Sequence, residues 1–351
     1  MAEKRLVYPD LLRVVASFAV ILIHITSSGI SGYEVNTSVW ASSVVINSLC
    51  RWSVPLFFMV SGMFYLDPTK EIDTKKLYTK NNFRLLLCIV IWGFAYGLLD
   101  QYLYSTLTLK SVLITLYGIV TGHTGYHLWF LYTLLMLYVA VPALRVFTKH
   151  ATKRQLDYAL AVWFLFSIVV GQINDVAKFA LDTENWLPYA SLVLTGHAGY
   201  FLLGSRLKSY TISEKTCRLL YLLAAVSAVA MPLGSVLLSR LLQRDCSGML
   251  ESPLGVGSCL IAAAVFVFAS RLDMSKWSAK AKRLVAFLGE RMFGVYLVHV
   301  FFVYALFRGC GWDLAIGCPA LSILAAAVLV WLVSLLTSWC FSKVPGLKKI
   351  V

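Results

Sequence analysis

Apolar residues form ten runs along the chain, and short segments rich in Lys and Arg separate them. A helix needs about 20 apolar residues to cross a bilayer, whereas a barrel strand needs only about 9–11. The length of the runs therefore predicts an all-α integral membrane protein. The predicted spans are residues 11–28, 44–66, 85–104, 127–147, 159–173, 189–207, 219–238, 254–270, 284–307 and 316–341. Residues 111–121 are also apolar but too short to cross, which predicts an interfacial or re-entrant segment.

The composition is that of a chain whose main solvent is lipid. Hydrophobic residues make up 59% of the sequence and the mean hydropathy is +0.76, whereas a soluble domain is about 45–50% apolar. The net charge of +14 lies mostly in the segments between spans. Basic residues in such positions set membrane topology, so no nucleic-acid partner is predicted. Residues 1–351 are predicted to form a single membrane domain whose first span is not cleaved.

The basic residues occupy alternate loops when ten spans are counted. Basic loops face the cytoplasm, so both termini are predicted to be cytoplasmic. Three arginines, Arg13, Arg51 and Arg291, lie at membrane depth. The only Lys and Arg in the opposite loops are Lys110, Lys178, Arg240, Arg244 and Arg308.

Three ionisable residues lie at the start of the first span or inside it: Asp10, just before it, and Arg13 and His24 within it. Arg13 and His24 are 11 positions apart, which places both on one face of a helix and about 16 Å apart along its axis. Ionisable groups inside a bilayer are expensive and indicate function. The alternatives are a snorkelling Arg13 and a hydrogen-bonded core His24. Asp10 lies one turn before Arg13 and is predicted to orient its guanidinium, or to be a charge at a helix start.

The second span contains Arg51, then Pro55, then the small pair Ser61-Gly62. Pro55 predicts a kink because proline lacks a backbone donor. Ser61 and Gly62 allow close approach of a ligand, or of another helix. Arg51 either binds substrate or pairs with a carboxylate such as Glu34 or Asp175.

One histidine pair has the spacing of a zinc site, because His123 and His127 are four positions apart. Gly122 and Gly125 disfavour a helix there, and no third ligand is evident in the sequence. No metal site is therefore predicted.

Four motifs together resemble the acyltransferase 3 family, bacterial membrane enzymes that O-acylate surface polysaccharides and related acceptors. They are Arg13-x10-His24 in the first span, Pro-Leu-Phe-Phe at 55–58 with Ser61-Gly62 in the second, His-Leu-Trp-Phe-Leu at 127–131 in the fourth, and Val-Tyr-Leu-Val-His at 295–299 in the ninth. The resemblance covers essentially the whole chain. One departure is Met292-Phe293, where the family often has Ser-Phe, so no hydroxyl role is carried over to that site.

The resemblance implies catalytic roles for Arg13 and His24, and a donor channel that includes the second-span motif. It makes the motif residues of the fourth and ninth spans candidate pocket residues. Asp10 and Arg51 are further candidates because they are ionisable residues in or beside the spans. The expected substrate-binding residues are therefore Asp10, Arg51, Phe57, Phe58, Ser61, Gly62, His127, Trp129, Tyr296 and His299.

The expected function is membrane O-acyl transfer, most simply of acetyl, from cytoplasmic acyl-CoA to a hydroxyl of an envelope polysaccharide or lipid-linked glycan. Acyl-CoA is expected as donor substrate, with no cofactor, in the cytoplasmic membrane of a bacterium. His24 acts either as the base that deprotonates the acceptor or as the nucleophile that carries the acyl group. The alternatives are a transporter of a small solute such as an amino acid, and a non-catalytic partner of an envelope synthase.

Overall fold

The computed structural model describes residues 6–104, 108–181 and 196–351. All regular secondary structure in these ranges is helical, which confirms the predicted all-α class. The α-helices are α1 (Tyr8–Gly32), α2 (Ser38–Cys50), α3 (Ser53–Tyr65), α4 (Thr74–Lys76), α5 (Phe83–Tyr104), α6 (Leu109–Thr121), α7 (Trp129–His150), α8 (Lys153–Trp163), α9 (Val170–Leu181), α10 (Gly196–Ser209), α11 (Glu214–Leu242), α12 (Ser247–Leu250), α13 (Val256–Arg271), α14 (Ala279–Gly289), α15 (Met292–Tyr304) and α16 (Pro319–Lys343). Three π-helical segments continue or join them, at Leu77–Asn82, Phe164–Val169 and Ala305–Gly309.

Eight helical stretches in the described ranges are long and apolar enough to cross a membrane. They are Tyr8–Gly32, Ser38–Tyr65, Thr74–Leu103, Trp129–His150, Lys153–Phe179, Glu214–Leu242, Met292–Gly309 and Pro319–Lys343. The predicted sixth span, 189–207, begins outside the described residues and continues into α10. The predicted eighth span, 254–270, corresponds to α13, which has only 16 residues. The total of ten spans and the side on which the termini lie stay predictions.

The short apolar stretch predicted at residues 111–121 is the helix α6. It has 13 residues and is therefore about 20 Å long, less than the roughly 30 Å of a bilayer core. Thr108 caps its first turn, and Gly122 ends it in a left-handed conformation with φ of 79°. A helix of this length and with these defined ends agrees with an interfacial or re-entrant segment.

Two predicted spans are interrupted rather than continuous. The second breaks at Arg51 and Trp52, between α2 and α3, because Pro55 cannot donate a hydrogen bond to Arg51 and must sit in the first turn of a new helix. The predicted ninth span, 284–307, was wrong as a single helix. It breaks after Gly289, where a Cβ would lie 2.6 Å from the Cβ of Asp10.

The central helix of the bundle is α1, which packs against α2, α3, α13, α14, α15 and α16. A second close pair is α3 and α10. A Cβ at Gly62 would lie 1.9 Å from the Phe201 carbonyl oxygen, and a Cβ at Gly204 would lie 1.9 Å from that of Met59. The two backbones therefore touch through reciprocal glycines. For Gly62, the structure supports the packing alternative raised by the sequence.

Contacts between loops divide the helix ends into two groups. At one end, Arg145 donates to the carbonyls of Tyr65 and Asp67, both at 3.0 Å. The segments that meet at this basic end are 66–84, 145–157, 206–218, 271–291 and 343–351, which contain most of the Lys and Arg. At the opposite end, Tyr33 donates to Asp313 at 2.5 Å. The loops that the charge pattern groups together therefore lie at the same end of the bundle.

An ion pair between Asp67 and Lys208 joins the loop after α3 to the last turn of α10 at the basic end. Partial burial acts to raise the pKa of Asp67, but hydrogen bonds from Lys208 and Thr69 outweigh it, so the pKa lies below its ordinary value of 3.8. The pKa is lower in the folded than in the unfolded chain. The pair therefore stabilises the fold above pH 3.8, and this stability is lost as the pH falls through the folded-state pKa.

We expect Asp67→Asn to lower the free energy of unfolding by about 1 kcal/mol at pH 7. The difference from wild type should disappear in acid, because wild-type Asp67 is then protonated as well. Thermal unfolding of both proteins in detergent between pH 7 and the acid limit of solubility measures this. A difference that stays constant with pH would assign the loss to the turn at Thr69 rather than to the charge.

Candidate active site

A cavity of about 540 Å³ runs along one face of α1. Arg13, His24 and Ser27 lie on its wall in that order, so the face predicted from helical spacing is the face that lines it. Arg84 reaches the wall near the basic end, and Tyr126 reaches it near the opposite end. The cavity therefore connects a cationic region at the basic end with a histidine deeper in the bundle.

Three imidazole rings meet at the deep part of the cavity. The ring centroid of His24 lies 5.0 Å from that of His299 and 6.2 Å from that of His127, and the His127 and His299 centroids are 5.4 Å apart. We call these three residues the histidine cluster. His24 lies on α1, His127 in the turn before α7 and His299 on α15. These elements are distant in sequence, so only packing brings the three rings together.

The turn before α7 sets the position of His127. Gly125 has φ of +53°, a conformation that side chains disfavour, and it lets the chain turn tightly beside Tyr96. Tyr296 donates from its hydroxyl to the His127 carbonyl at 2.8 Å, which ties this turn to α15. The segment 122–128 is thus not helical. The i,i+4 relation of His123 and His127 therefore does not place them on one helix face.

A hydrogen bond to the main chain determines which ring nitrogen of His299 carries the hydrogen. The His299 Nδ1 lies 2.6 Å from the Tyr296 carbonyl oxygen. Because a carbonyl only accepts, Nδ1 carries the hydrogen and a neutral His299 keeps its lone pair on Nε2. Within the described residues, the buried His299 Nε2, His24 Nδ1 and both His127 ring nitrogens have no hydrogen-bond partner. The cluster thus offers unoccupied polar atoms beside the cavity, as a site that handles protons requires.

Arg13 is held at the basic end of the cavity. Its Nη1 donates to the Asp10 Oδ1 at 2.9 Å, and its guanidinium carbon lies 5.4 Å from the centre of the Phe64 ring. Asp10 is only 3% exposed and lies behind Arg13 rather than on the wall. It therefore contacts Arg13 as the sequence predicted, and does not itself line the cavity.

Arg84 is a second cation on this part of the wall, and the sequence analysis missed it. The predicted third span, 85–104, begins one residue after it, which leaves Arg84 in the basic segment that also contains Lys75, Lys76 and Lys80. Its guanidinium lies 5.0 Å from the Phe293 ring centre and donates to the main-chain oxygens of Lys349 and Val351. The feature of the sequence that could have identified Arg84 as a wall residue is its position at the start of an apolar helix.

Arg51 lies on the wall near the histidine cluster, and its carboxylate partner is Glu251 rather than Glu34 or Asp175. The Arg51 Nη2 lies 3.8 Å from the Glu251 Oε2. The Glu251 Oε1 accepts from the Ser48 hydroxyl at 2.5 Å. The sequence analysis missed Glu251 because it lies in a loop 200 positions from Arg51, where no local pattern relates the two.

The predicted substrate-binding residues thus fall into two groups. Those that line the cavity with Arg13 and His24 are Arg51, Phe57, Ser61, His127, Trp129 and Tyr296. Those that lie behind the wall are Asp10, Phe58, Gly62 and His299. Phe58 is fully buried against Phe130, with ring centroids 4.8 Å apart. Phe58 and Gly62 support the wall by packing, whereas His299 contacts it through His24.

The fold and the cavity define a multi-pass membrane protein with a polar, titratable centre among its helices. A family model of the acyltransferase domain, acyltransferase 3, matches residues 6–343. The chain belongs to this family and is a membrane acyltransferase, one that transfers groups other than amino-acyl groups. No curated protein and no solved structure matches it. The family assignment favours the enzyme over the transporter that the sequence left open.

Proposed function

We propose that the protein moves an acyl group, most simply acetyl, from cytoplasmic acyl-CoA to a hydroxyl of an envelope polysaccharide or lipid-linked glycan. The observation that supports this best is one cavity with arginines at its basic end and histidines in its depth. In this proposal the basic end faces the cytoplasm of a bacterium, as the positive-inside rule requires. The donor then enters beside Arg13 and Arg84, and the acceptor enters from the opposite end.

The donor is proposed to place its phosphates at the basic end. Arg13 and Arg84 suit phosphate oxygens because guanidinium groups form charge-assisted, often paired hydrogen bonds. His24 lies about 16 Å deeper along α1, which the flexible thiol arm of CoA can bridge. The thioester would thus reach the histidine cluster while the charged part of the donor stays near water.

The acceptor is proposed to meet the thioester at His24. A neutral imidazole takes the proton of the attacking hydroxyl and later returns it to the departing thiolate. Trp129 and Tyr126 are 37% and 54% exposed and line the cavity. Their rings offer flat surfaces of the kind that a sugar ring packs against, which supports a glycan as acceptor.

Release of free CoA from acetyl-CoA by the purified protein tests the proposed function. We expect wild type to release CoA, and Arg13→Ala and His24→Ala variants of equal thermal stability to release none above background. No turnover by folded wild type, together with no binding of acetyl-CoA, would contradict the proposal.

The donor position makes a separate prediction. Arg84→Gln should raise the KM for acetyl-CoA by about tenfold or more, since a hydrogen bond to a charged group contributes about 1.5–3 kcal/mol. A small acetyl thioester without phosphates should be used equally well by wild type and variant. The rate at which free thiol is released is measured in the same way for both thioesters. An equal loss with both thioesters would mean that Arg84 supports the fold rather than the phosphates.

A further inference from the structure

Acyl transfer to a hydroxyl needs a group that stabilises negative charge, in addition to a base. The thioester carbonyl oxygen becomes an oxyanion when the acceptor attacks, and donors placed beside it are usually the largest single contribution to such catalysis. Arg13 and Arg84 lie at the basic end of the cavity, away from His24. Among the described wall residues, Arg51 is the remaining arginine.

Helix packing places Arg51 at the depth of the histidine cluster. On α2, the Asn47 amide donates to the Ile23 carbonyl at 3.2 Å and to the Thr26 hydroxyl at 2.7 Å. These two residues flank His24 on α1. Arg51 follows Asn47 by one helical turn, and it lines the same cavity as His24. A guanidinium and an imidazole therefore face the same part of the cavity.

The Arg51 guanidinium has hydrogen-bond donors to spare. It carries five N–H groups, yet its buried Nε has no partner within the described residues. Arg51 and Glu251 form an ion pair, but the 3.8 Å between their atoms is too long for a hydrogen bond. The Arg51 side chain is 25% exposed, and it lines the cavity. Unsatisfied donors cost free energy. Their presence on a cavity wall is explained if an oxygen of the substrate accepts hydrogen bonds from them.

Glu251 compensates the charge of Arg51 without using up those donors. The Glu251 side chain is fully buried, and the Ser48 hydroxyl holds its other oxygen. A shorter, bidentate pair would occupy the guanidinium. At 3.8 Å the carboxylate stabilises the buried cation while the N–H groups stay available.

We propose that Arg51 is a catalytic residue that binds the donor carbonyl oxygen and stabilises its negative charge, and that Glu251 is its positioning residue. This inference rests on the proposed function. The acceptor oxygen bonds to the thioester carbon as His24 takes its proton, and the carbonyl π electrons move to the oxygen beside Arg51. When the carbonyl re-forms, the carbon–sulfur bond breaks and the thiolate takes the proton from His24.

The test measures kcat for CoA release from acetyl-CoA alone, with water as the hydroxyl, and the Kd for acetyl-CoA. Arg51→Gln should lower kcat about 10²–10³-fold and change the Kd by less than about twofold. Arg51→Lys, which keeps the charge opposite Glu251, should fall between wild type and Arg51→Gln. Guanidinium ions should partly restore kcat to Arg51→Ala. The control Arg240→Gln, an exposed arginine away from the cavity, should match wild type.

Glu251→Gln keeps a partner for Ser48 and removes only the charge. It should lower kcat about tenfold, in keeping with a role through Arg51, and leave the Kd for acetyl-CoA unchanged. The inference is overturned if Arg51→Gln keeps wild-type kcat, or if its loss appears only in KM or Kd. A folded wild type that neither releases CoA nor binds acetyl-CoA would contradict the proposed function itself. An active wild type with unchanged kcat in Arg51→Gln would overturn only this inference, so the two failures are distinguishable.

Discussion

His24→Ala is expected to abolish acyl transfer while leaving the fold intact. A positioned general base contributes about 10²–10⁴-fold to rate, and His24 is the member of the histidine cluster on the face of α1 that lines the cavity with Arg13. Alanine at position 24 removes the imidazole and leaves Arg13 and Arg51 in place. We therefore expect kcat for CoA release to fall at least 10²-fold, with the Kd for acetyl-CoA unchanged.

The matched control is His150→Ala, because His150 is exposed at the end of α7 and lies outside this cavity. That variant should keep wild-type kcat. Mass spectrometry of wild type mixed with acetyl-CoA without added acceptor separates the two roles of His24. An acetyl group on His24 would identify the nucleophile, and unmodified protein that still releases CoA would identify the base. Wild-type kcat in His24→Ala would contradict both roles.

Gly62→Ala is expected to have the largest effect on stability. The added Cβ would lie 1.9 Å from the Phe201 carbonyl oxygen, and backbone cannot move aside as a flexible side chain can. Helices α3 and α10 must therefore separate, which should cost about 3 kcal/mol, the upper part of the range for overpacking. Thermal unfolding in detergent should show a clear fall in Tm.

Gly171→Ala is the matched control for this glycine. Gly171 lies in α9 with nothing within 4 Å of its missing Cβ, so the same substitution should be neutral or stabilising through helix propensity. Activity offers a second measurement. Ser61 lines the cavity next to Gly62, so separation of α3 and α10 should also lower kcat. Equal Tm values for Gly62→Ala and wild type would show that the helices can move apart at little cost.

Features that depend on neighbouring residues were predicted well. Hydropathy located the eight long helical stretches of the described ranges, although not every boundary, and Pro55 indicated the interruption near Arg51. The spacing of Arg13 and His24 placed both on one cavity wall, since a single helix has a known period. The break before α15 was missed, because Gly289 interrupts that helix where it meets Asp10 of another helix.

Roles that depend on burial were harder to predict from the motifs. Phe57 lines the cavity, whereas its neighbour Phe58 packs behind the wall. Ser61 likewise lines the cavity, whereas Gly62 touches the backbone of α10. Adjacent residues on a helix point about 100° apart, so a motif names a pair without saying which member faces inward.

The sequence by itself determined the membrane class, most of the helices and the Arg13–His24 face, because hydropathy and helical period are properties of consecutive residues. Only the tertiary structure decided that His127 and His299 join His24, that Arg84 reaches the cavity, and that Glu251 is the partner of Arg51. Each of these contacts joins residues far apart in the chain. They form because whole helices pack together, and the packing direction of a helix is set by its neighbours rather than by its own residues.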